Sequence, residues 1–178
     1  VTAPGAQGPR AVLVGTMGAG KTTVGRIVAE RLGVAFADSD AIVEERAGKV
    51  VQDIFVEDGE AAFRELEREA VAWALAHHDG VLSLGGGAVL DPATRALLAA
   101  HPVVFLRVGL ADAVKRVGLG TGRPLLLGNV RSRVKQLLDE RTPVYEGVAR
   151  ITVETDGRGP AEVAAEIVTA IASQGEPT

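Results

Sequence analysis

Cysteine is absent from all 178 residues, which excludes disulfides, thiol nucleophiles and thiolate-ligated zinc and suits a reducing compartment. Basic excess is missing too. The formal net charge is -4 and no block of consecutive Lys or Arg occurs, so no nucleic-acid partner is expected. Charge interrupts every apolar run well before membrane-spanning length, and Val1 to Arg10 is polar and Gly/Pro-rich, unlike a secretory leader. A soluble, cytoplasmic protein without membrane contacts is expected. His77, His78 and His101 lack metal-ligand spacing and read as solvated histidines at helix ends. No Asn-Lys-x-Asp occurs, and no Asp-x-x-Gly follows the second predicted strand, which argues against a guanine-nucleotide switch.

What is present fits one domain. With 47% hydrophobic and 24% charged residues, the chain can bury one sizeable core and is short for two. A single domain over 1–178, with flexible tails at 1–9 and 173–178, is expected. Within it, Gly15-Thr16-Met17-Gly18-Ala19-Gly20-Lys21-Thr22 matches the phosphate-binding P-loop, lying between the apolar run Ala11 to Val14 and a helical stretch. The glycines let backbone N–H groups turn inward around phosphate oxygens, and the helix starting near Lys21 adds its positive dipole end. The Thr22 hydroxyl can ligate magnesium. A Gly-rich turn that binds nothing would not explain why Lys and Thr follow the last glycine.

Strand and helix patterns alternate along the rest of the chain. Strands are predicted over Arg10 to Val14, Val34 to Ala37, Val81 to Leu84, Val103 to Val108 and Ala149 to Val153. Helices are predicted over Lys21 to Leu32, Asp40 to Ala47, Val51 to Glu57, Glu60 to Ala76, Pro92 to Ala100, Ala111 to Val117, Val130 to Arg141 and Pro160 to Ala172. Gly118 to Pro124 is predicted to break regular structure. This order implies a three-layer α/β sandwich around a five-stranded parallel sheet, with ligands beyond the carboxyl ends of the strands.

Magnesium with a triphosphate calls for oxygen ligands at that edge. Asp38, ending the second strand, is the best carboxylate. Asp40 lies two residues on, where it can face an acceptor hydroxyl or simply cap the helix beginning at Ala41. Arg64, on the helix after the second strand, suits bidentate carboxylate binding, although a helix arginine read alone is a solvated charge. Gly85-Gly86-Gly87 at the end of the third strand either exposes backbone N–H groups to a ligand or forms an ordinary tight turn. Trp73 is expected to pack, and Phe55 and Phe63 fit either an acceptor pocket or helix core faces.

The P-loop, Asp38-Ser39-Asp40, Phe63-Arg64-Glu65-Leu66-Glu67, Leu84-Gly85-Gly86-Gly87, Arg123-Pro124-Leu125 and Arg141-Thr142-Pro143-Val144-Tyr145 together resemble the shikimate kinase family in order and spacing, over nearly the whole chain. The resemblance implies a P-loop fold of the nucleoside monophosphate kinase type. It implies ATP-dependent phosphorylation of the shikimate 3-hydroxyl to shikimate 3-phosphate and ADP, a step towards chorismate and the aromatic amino acids. By it, Lys21, Asp40 and Arg123 are catalytic, with Arg123 in a lid over about 118–128. Gly18, Ala19, Gly20, Lys21, Thr22, Thr23, Arg116, Arg123, Arg158 and Pro160 serve ATP. Asp40, Arg64, Gly85, Gly86, Gly87 and Arg141 hold shikimate from helices over about 40–76 and beyond, and Thr22 and Asp38 serve Mg2+. A monomer is expected, with ATP and shikimate as its small-molecule partners. Another P-loop kinase, for gluconate or cytidylate, is the alternative reading, and a non-catalytic ATP-binding module would not need Asp40 with two substrate arginines.

Overall fold

The computed structural model describes residues 8–121 and 127–174. Its frame starts from β1 (Ala11–Val14), whose alternate side chains serve opposite faces: Ala11 and Leu13 join one buried cluster, Val14 and Val12 another. A strand buried on both faces belongs inside a sheet, and β1 lies between β3 (Val81–Ser83) and β4 (Val103–Arg107). The edges are β2 (Phe36–Asp38) and β5 (Ile151–Glu154), giving the order β2-β3-β1-β4-β5 with every pairing parallel. Parallel neighbours need crossover connections, and the helices supply them. The expected three-layer α/β sandwich is the fold adopted.

One helical layer is built on α1 (Lys21–Leu32), α6 (Leu110–Thr121) and α8 (Pro160–Gln174), which bring Val28, Ala113 and Ile167 against the sheet. The other holds α4 (Glu60–His77) and α5 (Pro92–Leu98), through Val71, Leu75 and Leu98. The long α7 (Leu127–Val148) contributes to both, with Val134 in the first cluster and Tyr145 in the second. A smaller cluster of Val43, Ile54, Phe63 and Ala70 joins α2 (Ser39–Ala47), α3 (Val51–Glu57) and α4, so these helices form a unit beside the sheet edge. Leu13 and Ile167 are fully buried, and cutting either to Ala should cost about 2–5 kcal/mol.

Three sequence expectations need correction. Regular structure does not break at Gly118: α6 runs on through Gly120 to Thr121. Glycine costs about 1 kcal/mol per residue in a helix, which weakens it without forbidding it. The predicted lid arginine, Arg123, lies outside the described residues. Nor does α7 stop at Arg141 ahead of Pro143, but continues to Val148. Proline removes one helical hydrogen bond and costs about 3 kcal/mol, yet the turn beyond it buries Tyr145 almost completely and packs Val144 and Val148 on the core, which offsets that loss. Finally, Trp73 is 45% exposed rather than packed inside, stacked on the His77 ring at 5.1 Å with the Arg46 guanidinium 5.1 Å from its centre. Among the described residues no helix is long and apolar enough to cross a membrane.

Candidate active site

The carboxyl ends of β1, β2 and β3 open onto one cavity of about 320 Å3. Its floor is the P-loop. Gly18 and Gly20 have φ of 83° and 90°, a left-handed conformation that L side chains rarely adopt, and it turns the loop directly into α1. Gly20 offers no side-chain cap, so the first N–H groups of α1 stay open towards the cavity. Thr22 and Thr23 line it in the first turn. Met17 stands at its mouth, 71% exposed. The Lys21 ammonium folds back over the loop, donating to the Gly15 carbonyl at 2.7 Å and the Thr16 carbonyl at 3.0 Å. Burial pulls its pKa down to about 8, against the opposing charges of Asp38 and Asp40.

The opposite wall carries carboxylates. Asp38, not Asp40, caps α2: its Oδ1 accepts from the Asp40 N–H at 2.8 Å, and the helix starts at Ser39. Capping by Asp40, the alternative that the sequence left open for it, falls two residues late because either aspartate satisfies the same preference. Freed of capping, Asp40 keeps a buried Oδ1 with no hydrogen-bond partner among the described residues. Burial and then the Asp38 charge push the Asp40 carboxyl above the usual range, with Lys21 and Arg64 opposing. Desolvation wins over both cations.

Gly85 and Gly86 form the third wall, with Gly87 on the adjoining cavity that Arg64 lines, and the need there is for space. A Cβ on Gly85 would sit 2.8 Å from Asp40 Oδ1 and 3.0 Å from Glu67 Oε2. One on Gly87 would meet the Arg64 guanidinium at 2.5 Å, although Gly87 itself has an ordinary φ of -97°. A Cβ on Gly86 would come within 3.3 Å of Arg141 Nη1. The two arginines, 77 positions apart by number in a chain of 178 residues, thus converge on one short glycine strip beside Asp40. Arg64 is aimed by Glu67, whose Oε1 accepts from Nη1 at 2.7 Å, and its guanidinium carbon lies 5.3 Å from the Phe63 ring centre. Glu67 is only 3% exposed; burial raises its pKa, which the Arg64 hydrogen bond and charge resist. Phe63 is buried and Phe55, 4.6 Å away between ring centres, is partly exposed.

Round the other side of the P-loop a second cavity, about 220 Å3, is lined by Gly20, Thr23, Arg116, Thr155, Arg158 and Pro160 among others. Arg116 is heavily engaged there. Its Nη1 donates to the Gly18 and Ala19 carbonyls at 3.1 and 3.3 Å, and its Nη2 to the Thr155 carbonyl at 3.1 Å. Arg158 turns towards α8, bonding Glu166 at 2.6 Å and Glu162 at 3.2 Å. The structure therefore places Lys21, Asp38, Asp40, Gly85 and Gly86 around one cavity, with Arg141 against Gly86; Arg64 and Gly87 line an adjoining cavity of about 310 Å3 with Glu67, and Arg116, Arg158 and Pro160 line a third.

Four residues that shape these walls carried no role in the sequence reading: Ser39, Glu67, Tyr145 and Thr155. Glu67 was accessible in principle, three positions after Arg64 on a helix, where opposite charges meet. Thr155, 2% exposed, bonds the Arg107 carbonyl across the sheet, a contact no local spacing announces.

Among proteins of known sequence, the shikimate kinase of Thermobifida fusca is 61% identical over 94% of this chain and 98% of its own length. That of Salinispora arenicola is 58% identical over 93% and 99%. Among solved structures, a shikimate kinase from Acinetobacter baumannii in complex with shikimate superposes with a TM-score of 0.87 at 35% identity, covering 96% of both chains. The family model for shikimate kinase matches residues 17–172, and the chain belongs to that family.

Proposed function

We propose that the protein transfers the γ-phosphoryl group of ATP to the 3-hydroxyl of shikimate. The observation that carries this reading is the convergence of Arg64 and Arg141 on Gly86 and Gly87, one side chain away from the unpartnered oxygen of Asp40. Two guanidinium forks suit a carboxylate, and an orphaned buried acceptor suits a hydroxyl proton. Shikimate carries one carboxylate and three hydroxyls on one ring.

Transfer of this kind is mostly positioning and charge stabilisation. The open N–H groups at the start of α1 and the Lys21 ammonium hold the β- and γ-phosphates. Arg64 and Arg141 fix the acceptor by its far end, so that its hydroxyl points at Asp40. Asp40, ionised, accepts the hydroxyl proton as the oxygen attacks; its raised pKa makes it a better base than a solvent-exposed aspartate. Arg116, with Arg158 and Pro160, bounds the space left for the nucleoside.

A divalent cation fits this donor set. Magnesium binds through one or two carboxylates plus phosphate oxygens and water rather than in an all-protein cage. Asp38, with one oxygen committed to the Asp40 N–H, and the Thr22 hydroxyl are such donors, and no cluster of three His, Cys, Asp or Glu exists among the described residues to favour a tighter ion. Bound there, Mg2+ would neutralise phosphate charge. ADP release measured in parallel with shikimate, gluconate and CMP, with and without Mg2+, tests the reading: turnover with shikimate alone is expected, and turnover with gluconate or CMP instead overturns it.

A further inference from the structure

The glycine strip is held by side chains as well as by its own backbone. At its start, the Gly85 N–H donates to Ser39 Oγ at 3.0 Å, and Ser39 is fully buried between the two aspartates. In its middle, the Tyr145 hydroxyl donates to the Gly86 carbonyl at 2.6 Å. Tyr145 is 1% exposed, with its ring 5.1 Å from that of Phe105 on β4. The Gly85 carbonyl accepts from the Ala88 N–H at 3.1 Å, so the strip is fixed at three polar groups of Gly85 and Gly86. The N–H groups of Gly86 and Gly87 have no protein acceptor among the described residues and stay available.

Tyr145 also stands one helical turn beyond Arg141, which puts both side chains on one face of α7. The point that a Cβ on Gly86 would occupy is 3.3 Å from Arg141 Nη1 and 3.6 Å from the Tyr145 oxygen. The arginine, the phenol and the glycine carbonyl are thus packed against each other.

We propose that the Tyr145 hydroxyl, with Ser39 at the other end of the strip, positions the acceptor site, holding Gly86 and Arg141 in the one arrangement that reads the acceptor's carboxylate. Neither residue touches the reacting atoms. Each acts through a neighbour: Tyr145 through Arg141 and the Gly86 peptide, Ser39 through the orientation of Gly85. This rests on the shikimate kinase reading. It adds to it that the specificity of the site depends on two hydroxyls outside the contact surface. Burial keeps the phenol protonated, with the Arg141 charge and hydrogen bond acting in the other direction, so the donor persists through the neutral range.

The test is steady-state kinetics on Tyr145→Phe, which keeps the ring and removes one oxygen. The shikimate KM should rise about five- to tenfold while the ATP KM stays within about twofold, the cost of one buried hydrogen bond. In an Arg141→Lys background the same change should add little, because the group it positions is gone. Ser39→Ala should also raise the shikimate KM, and Ser39→Thr, which keeps the hydroxyl, should restore it. A shikimate KM unchanged in Tyr145→Phe, equal rises for both substrates, or full additivity with Arg141→Lys would each overturn the proposal. The wild-type arm separates the two ideas: no shikimate-dependent ADP release there refutes the functional reading, whereas normal wild-type turnover with an unaffected Tyr145→Phe refutes the positioning role alone.

Discussion

Asp38 and Asp40 face the same cavity from one turn, and a single hydrogen bond of 2.8 Å from the Asp40 N–H to Asp38 Oδ1 sets them apart. It commits Asp38 to holding the helix and leaves Asp40 Oδ1 without a partner among the described residues. Two identical side chains, two residues apart, therefore have different chemistry.

Asp40→Asn should abolish most turnover and at the same time stabilise the fold. The raised pKa of Asp40 means that the folded state binds the proton more tightly than the unfolded chain does. Ionisation therefore costs stability above the ordinary carboxyl pKa, and at neutral pH that cost is present in full. Removing the charge should raise Tm by about 2–4 °C if the gain is on the order of 1 kcal/mol. A melt showing a lower Tm for the amide would contradict the account of Asp40 as a desolvated, unsatisfied base.

The rate should be bell-shaped in pH. Activity rises as Asp40 ionises and falls as Lys21 loses its proton, which in the free protein happens at about 8. Bound phosphates favour the ammonium, so the alkaline limb of kcat should lie above that of kcat/KM. Coincident limbs would remove Lys21 as their source. Lys21→Ala should nearly abolish transfer while the protein stays folded, as circular dichroism and an ADP-release assay would report.

Arg64→Lys and Arg141→Lys should each raise the shikimate KM about tenfold or more, since a bidentate bond to a charged group contributes roughly 1.5–3 kcal/mol and lysine lacks the planar fork. An acceptor analogue without the carboxylate decides the matter. Equal weakening towards both compounds would show that the arginines read something else.

Gly87→Ala tests space rather than backbone freedom. The backbone at Gly87 suits alanine, but the new methyl would need the place of the Arg64 guanidinium. Because that is the far end of a flexible side chain, the fold should survive with little change in Tm. Shikimate KM should rise as in Arg64→Lys, and an unchanged KM would mean that Arg64 is not confined by this wall.

The sheet was legible because its information is local: β1 is an apolar run followed at once by the P-loop, and α1 and α3 begin and end where spacing and glycine placed them. The convergence of Arg64 with Arg141 was reachable only through the family pattern, since two helices on different crossovers meet there. Misplaced boundaries share a cause. At Pro143 local propensity points one way and burial of Tyr145 points the other, and burial prevails, whereas at Gly118 glycine weakens the helix without ending it. Tyr145 and Ser39 went unread for a related reason: their partners, Gly86 and Gly85, are dozens of residues distant.

The sequence has one methionine, and that residue stands exposed at the rim of the phosphate loop. With no cysteine present, its thioether is also the chain's single sulfur atom. Methyl-labelled methionine would thus place a reporter at the spot where nucleotide arrives. Titration of its signal with nucleotide would report loop occupancy directly, independent of turnover.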